Sequence, residues 1–249
     1  MGIFSRLFKR KEELLDPADL SVLHTDIHSH LIPGIDDGAK TLNESIEMIQ
    51  KFVELGFKKI ITTPHVMNDY YRNDKEKIIA GLEGVQGELA NRNVQIKMDA
   101  SAEYYLDDDL ERKIESKEVI PIHNKYLLFE LPFVSEPIFL NQIVFTIQSN
   151  GLIPILAHPE RYTYWKNEYS KYKELKDKGV LFQLNINSLS GYYSPEARQI
   201  AEWMVDQEMI ELVGTDCHRL DHLAILENHT SRMPYCHKLL ERDLLNKVL

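Results

Sequence analysis

The sequence predicts an α/β domain built on a parallel sheet, and three observations carry that expectation. From Val22 onward, short β-rich runs alternate with longer segments of helical periodicity. The runs recur roughly every thirty residues, the period of a strand with its crossover helix. A chain of 249 residues, 43% of them apolar, can bury one sizeable core.

Seven strands are expected, at Leu23–His28, Lys59–Thr63, Gln95–Ala100, Tyr126–Leu131, Ile153–Ala157, Val180–Leu184 and Glu211–Thr215. Between them, Thr41–Leu55 sets Leu42, Ile46, Ile49 and Val53 at helical spacing, with Gly56 as a stop signal. A second helix, Ile138–Ser149, ends at Asn150-Gly151, and a third, Pro195–Gln207, opens on the cap pair Ser194-Pro195. Parallel strands joined by helices close into a barrel or spread as an open doubly wound sheet. With no repeat and no Pro/Gly/Ser linker, residues 21–249 are expected to form one domain.

Residues 1–20 stand outside this pattern and are expected to be a mobile extension. Ile3, Phe4, Leu7 and Phe8 would share a helix face beside Arg6, Lys9, Arg10 and Lys11, which fits a weak contact with a membrane surface. Arg6 occupies the place where a myristoylation signal needs Ser or Thr. The formal net charge of −10 argues against a nucleic-acid partner, and no apolar run is long enough to span a bilayer. Two cysteines, Cys217 and Cys236, cannot make a disulfide framework, so a reducing cytoplasm is the expected location.

In parallel α/β folds, function gathers at the carboxyl ends of the strands. There the sequence repeatedly places histidine and carboxylate. The first run leads into Asp26-Ile27-His28-Ser29-His30 and the turn Gly34-Ile35-Asp36-Asp37-Gly38. The second ends in Thr62-Thr63-Pro64-His65, the third reaches Glu103, and the fourth ends in Glu130. The fifth gives His158-Pro159-Glu160-Arg161, and the seventh gives Asp216-Cys217-His218. One HxH, or one Asp beside Gly in a turn, would be ordinary. Burying nine such groups together without a counter-charge is prohibitively costly, so convergence points to metal ions. Imidazole and carboxylate without thiolate suit Mn²⁺, Fe²⁺ or Zn²⁺. Nine ligands exceed one ion, and a turn aspartate with Glu103, Glu130 and Asp216 would balance part of the charge on three divalent ions. Such a cluster lowers the pKa of bound water and clamps phosphoryl oxygens.

The series HxH, TTPH, isolated strand-end glutamates, HPER and DxH resembles the PHP (polymerase and histidinol phosphatase) superfamily. The wording DIHSHLIPGIDDG, TTPHV, FELP, AHPERY and GTDCH is similar to its capsule and exopolysaccharide branch, the metal-dependent bacterial protein-tyrosine phosphatases. This resemblance spans about Asp26 to His218 and implies a distorted seven-stranded (β/α) TIM-like barrel of the PHP type, holding three divalent ions, Mn²⁺ first among them. It further implies His28, His30, Asp37, His65, Glu103, Glu130, His158, Asp216 and His218 as ligands, with Asp37 taken over Asp36 because it directly precedes the glycine. Arg161 resembles the family's phosphate-binding arginine, and its forked guanidinium suits an oxyanion. Relatives carry a further arginine a few residues past the closing histidine, whereas here Arg219 adjoins it and Arg232 follows at a distance.

By resemblance the substrate is a phosphotyrosine tail on a bacterial tyrosine autokinase, met in the cytoplasm at the inner face of the membrane. The alternatives are a small-molecule phosphatase of the histidinol phosphate type, a metal-dependent amidohydrolase, and a non-catalytic metal-stabilised module that binds the kinase. The amidohydrolase would bridge its ions with a lysine on a middle strand, where this chain has Glu130. Cys236 and Arg242 match the C-x₅-R spacing of cysteine-dependent phosphatases, but the intervening HKLLE has no glycine to cradle a phosphate and reads as helix. Aromatic side chains expected at the rim are Tyr70, Tyr71, Tyr104, Tyr105, Tyr162, Tyr164 and Trp165, of which no more than two are expected to touch substrate.

Overall fold

In the computed structural model, which describes residues 14–249, the strands are β1 (Thr25–Asp26), β2 (Lys59–Thr62), β3 (His65–Val66), β4 (Lys97–Ala100), β5 (Glu103–Tyr105), β6 (Tyr126–Glu130), β7 (Ile153–Ala157), β8 (Leu181–Asn185) and β9 (Leu212–Gly214). All of their pairings are parallel, in a three-stranded sheet ordered β1-β2-β4 and a six-stranded sheet ordered β3-β5-β6-β7-β8-β9. β3 prolongs β2, and β5 prolongs β4. Thr62 pairs with Ala100 and His65 with Glu103, the same offset on both sides of the interruption. Pro64 causes the break in part, because it has no N–H to offer a ladder, although its carbonyl still accepts from the Glu103 N–H at 3.1 Å.

The strands alternate in what they bury. Leu127 and Phe129 of β6 belong to the large cluster that also holds the helices, while Tyr126 and Leu128 join a separate inner cluster with Ile27, Ile61, Ile155, Ala157 and Leu212. A parallel sheet covered on both faces needs apolar residues at successive positions, which explains the continuous apolar runs. The helices are α1 (Leu42–Glu54), α2 (Lys75–Asn91), α3 (Leu110–Glu115), α4 (Leu140–Ser149), α5 (Tyr169–Asp177), α6 (Pro195–Asp206), α7 (Leu220–Asn228) and α8 (Pro234–Leu240). Thr41 caps α1 by accepting from the Glu44 N–H, and Ser194 caps α6 by accepting from the Ala197 N–H. The buried face of α1 is Ser45, Ile46, Met48, Ile49 and Phe52, and the expected Leu42 and Val53 sit at its edges, 36% and 37% exposed.

The expected first strand is shorter than the sequence suggests. Leu20–Leu23 is a 3₁₀ turn capped by Asp19, and His24 at φ 60° turns the chain before β1 begins. Between β1 and β9 the ladder is also reduced. The Asp216 N–H reaches the His28 carbonyl at 2.8 Å, and the His30 N–H reaches the Cys217 carbonyl at 2.9 Å. At the opposite end the fully buried Asn246 fills the seam: its amide donates to the Thr25 and Val213 carbonyls and accepts from the Val213 N–H. The described part of the amino-terminal extension is attached to the body, because the Leu15 and Ala18 N–H groups donate to Arg232 and Ser231 and Leu20 is buried. The expected basic amphipathic helix falls on residues 1–13, outside the described residues. Among the described residues, no helix is long and apolar enough to cross a membrane.

Candidate metal centre

The site is assembled from the segments that leave the carboxyl ends of the strands. After β1, His28 Nδ1 lies 2.6 Å from Gln183 Oε1 and His30 Nδ1 lies 2.8 Å from Asp36 Oδ2. Each contact occupies one ring nitrogen and turns the other inward, so that the two Nε2 atoms stand 3.4 Å apart. Asp36 also accepts from the Gly38 and His65 N–H groups, which makes it the residue that shapes the turn. Gly38 lies so close to His30 that a Cβ would meet the His30 carbonyl oxygen at 2.2 Å, and a Cβ on Gly214 would meet the His28 Cβ at 2.5 Å.

The remaining side chains close the cluster. Glu103 at the start of β5 has Oε1 2.9 Å from His158 Nε2 and Oε2 3.1 Å from both His28 Nε2 and His65 Nδ1. Glu130, ending β6, stands 3.1 Å from His65 Nδ1. Asp37 Oδ1 lies 3.5 Å from His65 Nε2 and 3.4 Å from His218 Nε2, while His218 Nδ1 is held 2.9 Å from the Asp216 carbonyl. Asp216 Oδ1 is 3.5 Å from both His28 and His30. His158 at φ 34° and Asp216 at φ 50° are left-handed, a backbone cost carried where the strands deliver the candidate ligands.

These distances form four overlapping groups able to hold an ion: His30, Asp37, His65 and His218; His28, His30 and Asp216; His28, Glu103 and His158; and His65, Glu103 and Glu130. All nine side chains singled out from the sequence fall within them. The donor set fits divalent cations on two further counts. Glu103 Oε2 and Glu130 Oε1 are buried with no hydrogen bond, facing imidazole nitrogens. The site also draws positive charge: burial lowers the His28 pKa, but Glu103 and Asp216 outweigh it and push it up to about 9. Burial raises the carboxyl pKa values of Glu103 and Asp216, yet the surrounding imidazoles hold both well below the ordinary range.

The cluster floors a cavity of about 300 Å³ whose wall includes Phe133, Arg161, Tyr192, Tyr193, Arg219 and His222. Arg161 donates to Asp216 Oδ2 at 2.9 Å, and its guanidinium lies over the rings of Phe133 at 4.7 Å and Tyr193 at 4.3 Å. Arg219 donates to the Tyr192 hydroxyl at 2.8 Å, whereas Arg232 is not part of the wall. Glu160, pushed up to about 7 by burial, accepts from the Asn185 N–H and the Ser188 hydroxyl, fixing the segment that leads to Tyr193.

The aromatic wall differs from the expected one. Tyr104 and Tyr162 are buried with hydroxyls bound to backbone, Trp165 is buried against Glu136, and Tyr70 is 83% exposed. Of the seven, Tyr71 stacks on His65 at 5.6 Å, while the cavity rings are Phe133, Tyr192 and Tyr193. The sixth strand, from which no ligand was expected, supplies Gln183 and Asn185 at the same i, i+2 spacing as His28 and His30; Asn185 donates to Asp216 Oδ2 at 2.7 Å. His222, which the strand-end pattern does not include, borders the cavity with Nδ1 3.0 Å from the Asp216 carbonyl. Cys217 faces away from the cluster, its Sγ 3.7 Å from Met48 Sδ, and Cys236 is buried in α8.

The profile of the family described as capsular polysaccharide synthesis, CpsB/CapC, matches residues 24–248. The tyrosine-protein phosphatase YwqE of Bacillus subtilis is 28% identical over 220 residues, covering 84% of this chain and 87% of that protein. The tyrosine-protein phosphatase CpsB of Streptococcus pneumoniae is 26% identical over 216 residues, covering 84% and 85%. A crystal structure from work on these two proteins, described as unique metal-dependent tyrosine phosphatases, superposes with a TM-score of 0.75 at 26% identity over 86% of this chain and 84% of that one. An amidohydrolase from Mycoplasma synoviae shares the fold alone, with a TM-score of 0.56 at 12% identity.

Proposed function

Because this chain belongs to the CpsB/CapC family of capsular polysaccharide synthesis, we propose that it is a metal-dependent protein-tyrosine phosphatase. The observation that carries the reading is the convergence of nine imidazole and carboxylate side chains on the floor of one arginine-walled cavity. His28, His30, Asp37, His65, Glu103, Glu130, His158, Asp216 and His218 hold three divalent ions in a mixed oxygen and nitrogen donor set that suits Mn²⁺, Fe²⁺ or Zn²⁺, with Mn²⁺ placed first by the family resemblance. Ions bound there supply an activated water and neutralise phosphoryl oxygens.

The chain's own residues do the rest. Arg161 presents its fork to a phosphate from between two rings, and Asp216 holds it in place. Phe133, Tyr192 and Tyr193 form an apolar wall against which a phenyl ester can lie, each favourable ring pair adding about 0.5–1.5 kcal/mol beyond area burial. Arg219 adds a second positive charge to the wall. The seven strand positions, joined in sequence with a reduced β9–β1 seam, amount to a distorted seven-stranded barrel. The substrate is the phosphotyrosine tail of a tyrosine autokinase of capsule or exopolysaccharide synthesis, met in the cytoplasm.

Protein purified without chelator should contain divalent metal and hydrolyse phosphotyrosine peptides in preference to matched phosphoserine peptides. Excess EDTA should abolish this, and Mn²⁺ should restore it at least partly. Full activity after verified metal removal would overturn the metal reading. Equal kcat/KM for both peptides, or preference for histidinol phosphate, would overturn the tyrosine assignment.

A further inference from the structure

The two most exposed large apolar side chains among the described residues lie in one loop that also lends a ring to the cavity wall. In the loop between β6 and α4, Ile138 is 99% exposed, Val134 92% and Phe133 45%. This loop is held rather than loose. Glu136 at its centre accepts from the Trp165 indole at 2.7 Å and pairs with Lys171 at 3.1 Å. Leu131 at its entry is fixed by the Tyr162 hydroxyl, and Phe139 at its exit packs on the core. Glu136 is turned to Trp165 and Lys171, while Val134 and Ile138 on either side of it are left in solvent. Water-exposed aliphatics on an anchored loop are the mark of a surface awaiting an occupant.

We propose that Val134 and Ile138 form a ledge for a large apolar side chain close in sequence to the substrate phosphotyrosine. This rests on the tyrosine-phosphatase reading above. Phe133 belongs both to the loop and to the cavity wall, where its ring faces His158 at 5.7 Å. A polypeptide seated with its phosphotyrosine in the cavity therefore runs past Phe133 onto its loop neighbours. The other occupants fit less well. An anionic bilayer would call for free cations, and those that the structure places against this loop are engaged, Lys171 with Glu136 and Arg161 with Asp216. A second copy would need roughly 800 Å² from each partner, well beyond what three side chains expose.

The test uses the Mn²⁺-loaded enzyme, p-nitrophenyl phosphate, and Gly/Ser phosphotyrosine peptides carrying a single leucine at each position from three before to three after the phosphotyrosine. At least one leucine position should raise kcat/KM about fivefold or more over the all-polar peptide. In the Val134→Ser/Ile138→Ser variant that preference should fall below about twofold, with p-nitrophenyl phosphate turnover unchanged. No preferred position, or a preference that survives in the variant, overturns the ledge while leaving the phosphatase reading intact. Hydrolysis of p-nitrophenyl phosphate with none of any phosphotyrosine peptide overturns both. Variant-sensitive flotation with phosphatidylglycerol vesicles, or a variant-sensitive doubling of mass in sedimentation, would assign the surface to a bilayer or a second copy and overturn the proposal.

Discussion

Burial holds the His222 imidazole down to about 4, so it stays neutral in the folded chain where the unfolded chain takes a proton near 6.5. Unfolding therefore takes up a proton between those values, and the fold loses stability as pH falls through that window, by roughly 3 kcal/mol. Denaturant titrations of His222→Gln should show a flatter pH dependence between pH 6.5 and 4; an unchanged slope would refute the assignment. The thiols behave in the opposite sense, since burial pushes Cys236 up to about 12 and Cys217 up as well. Neither should react with iodoacetamide at pH 8 until the protein is unfolded. Cys236→Ser should leave turnover within a few-fold, whereas Asp216→Ala should nearly eliminate it, because Arg242 pairs with Glu208 and Cys236 belongs to α8. At this scale the convergence of the nine candidate side chains was legible, as imidazole and carboxylate at strand ends have few other reasons to gather. Gln183, Asn185, Phe133 and Tyr193 were not, since amides and rings of those types serve equally well in cores and turns.

Local chain geometry governs the elements, and glycines separate two kinds of demand. Gly38→Ala should force the Asp36–Gly38 turn away from His30, costing at least tenfold in activity together with bound metal, measurable by elemental analysis. Gly84 and Gly87 lie inside α2 with open space around them, so alanine at each should raise stability by roughly 0.5–1 kcal/mol in urea titrations with activity unchanged. The cap at Ser194 was readable because side-chain oxygen, proline and helix start agreed, whereas Thr41, read as the first helical residue, is the cap of α1. β1 was misjudged in length because Leu23 belongs to the turn capped by Asp19, His24 is left-handed, and past Asp26 the ladder thins to the few bonds that reach Asp216 and Cys217. The face of α1 shifted because Phe52 and Met48 outweigh Leu42 and Val53 once a neighbouring helix and sheet must be filled.

Across the whole molecule, the candidate ligands come from both ends of the chain and from the strands between, so ions bound there would act as a clasp on the fold. With free ion at about a hundred times its dissociation constant, binding adds about 2.7 kcal/mol, and chelation should lower the thermal midpoint by about 5–10 °C. An unchanged midpoint with verified loss of metal would show that the ions do not brace the fold. The parallel order was legible from the recurrence of strand and helix. The interruption at Thr63-Pro64 and the reduced β9–β1 seam were not, because both depend on pairings between residues far apart in sequence. Asn246 gives that seam a consequence in time. It bonds Thr25 across 221 positions of chain, so during synthesis on the ribosome β1 emerges first and waits for its last partner until nearly everything between has been translated. His28 and His30 meanwhile stand without Asp216 and His218, a bare histidine pair with little means of choosing among ions. Selection of the metal thus belongs to the finished chain, and the composition of the cell's free-ion pool after translation, rather than during it, decides what the enzyme carries.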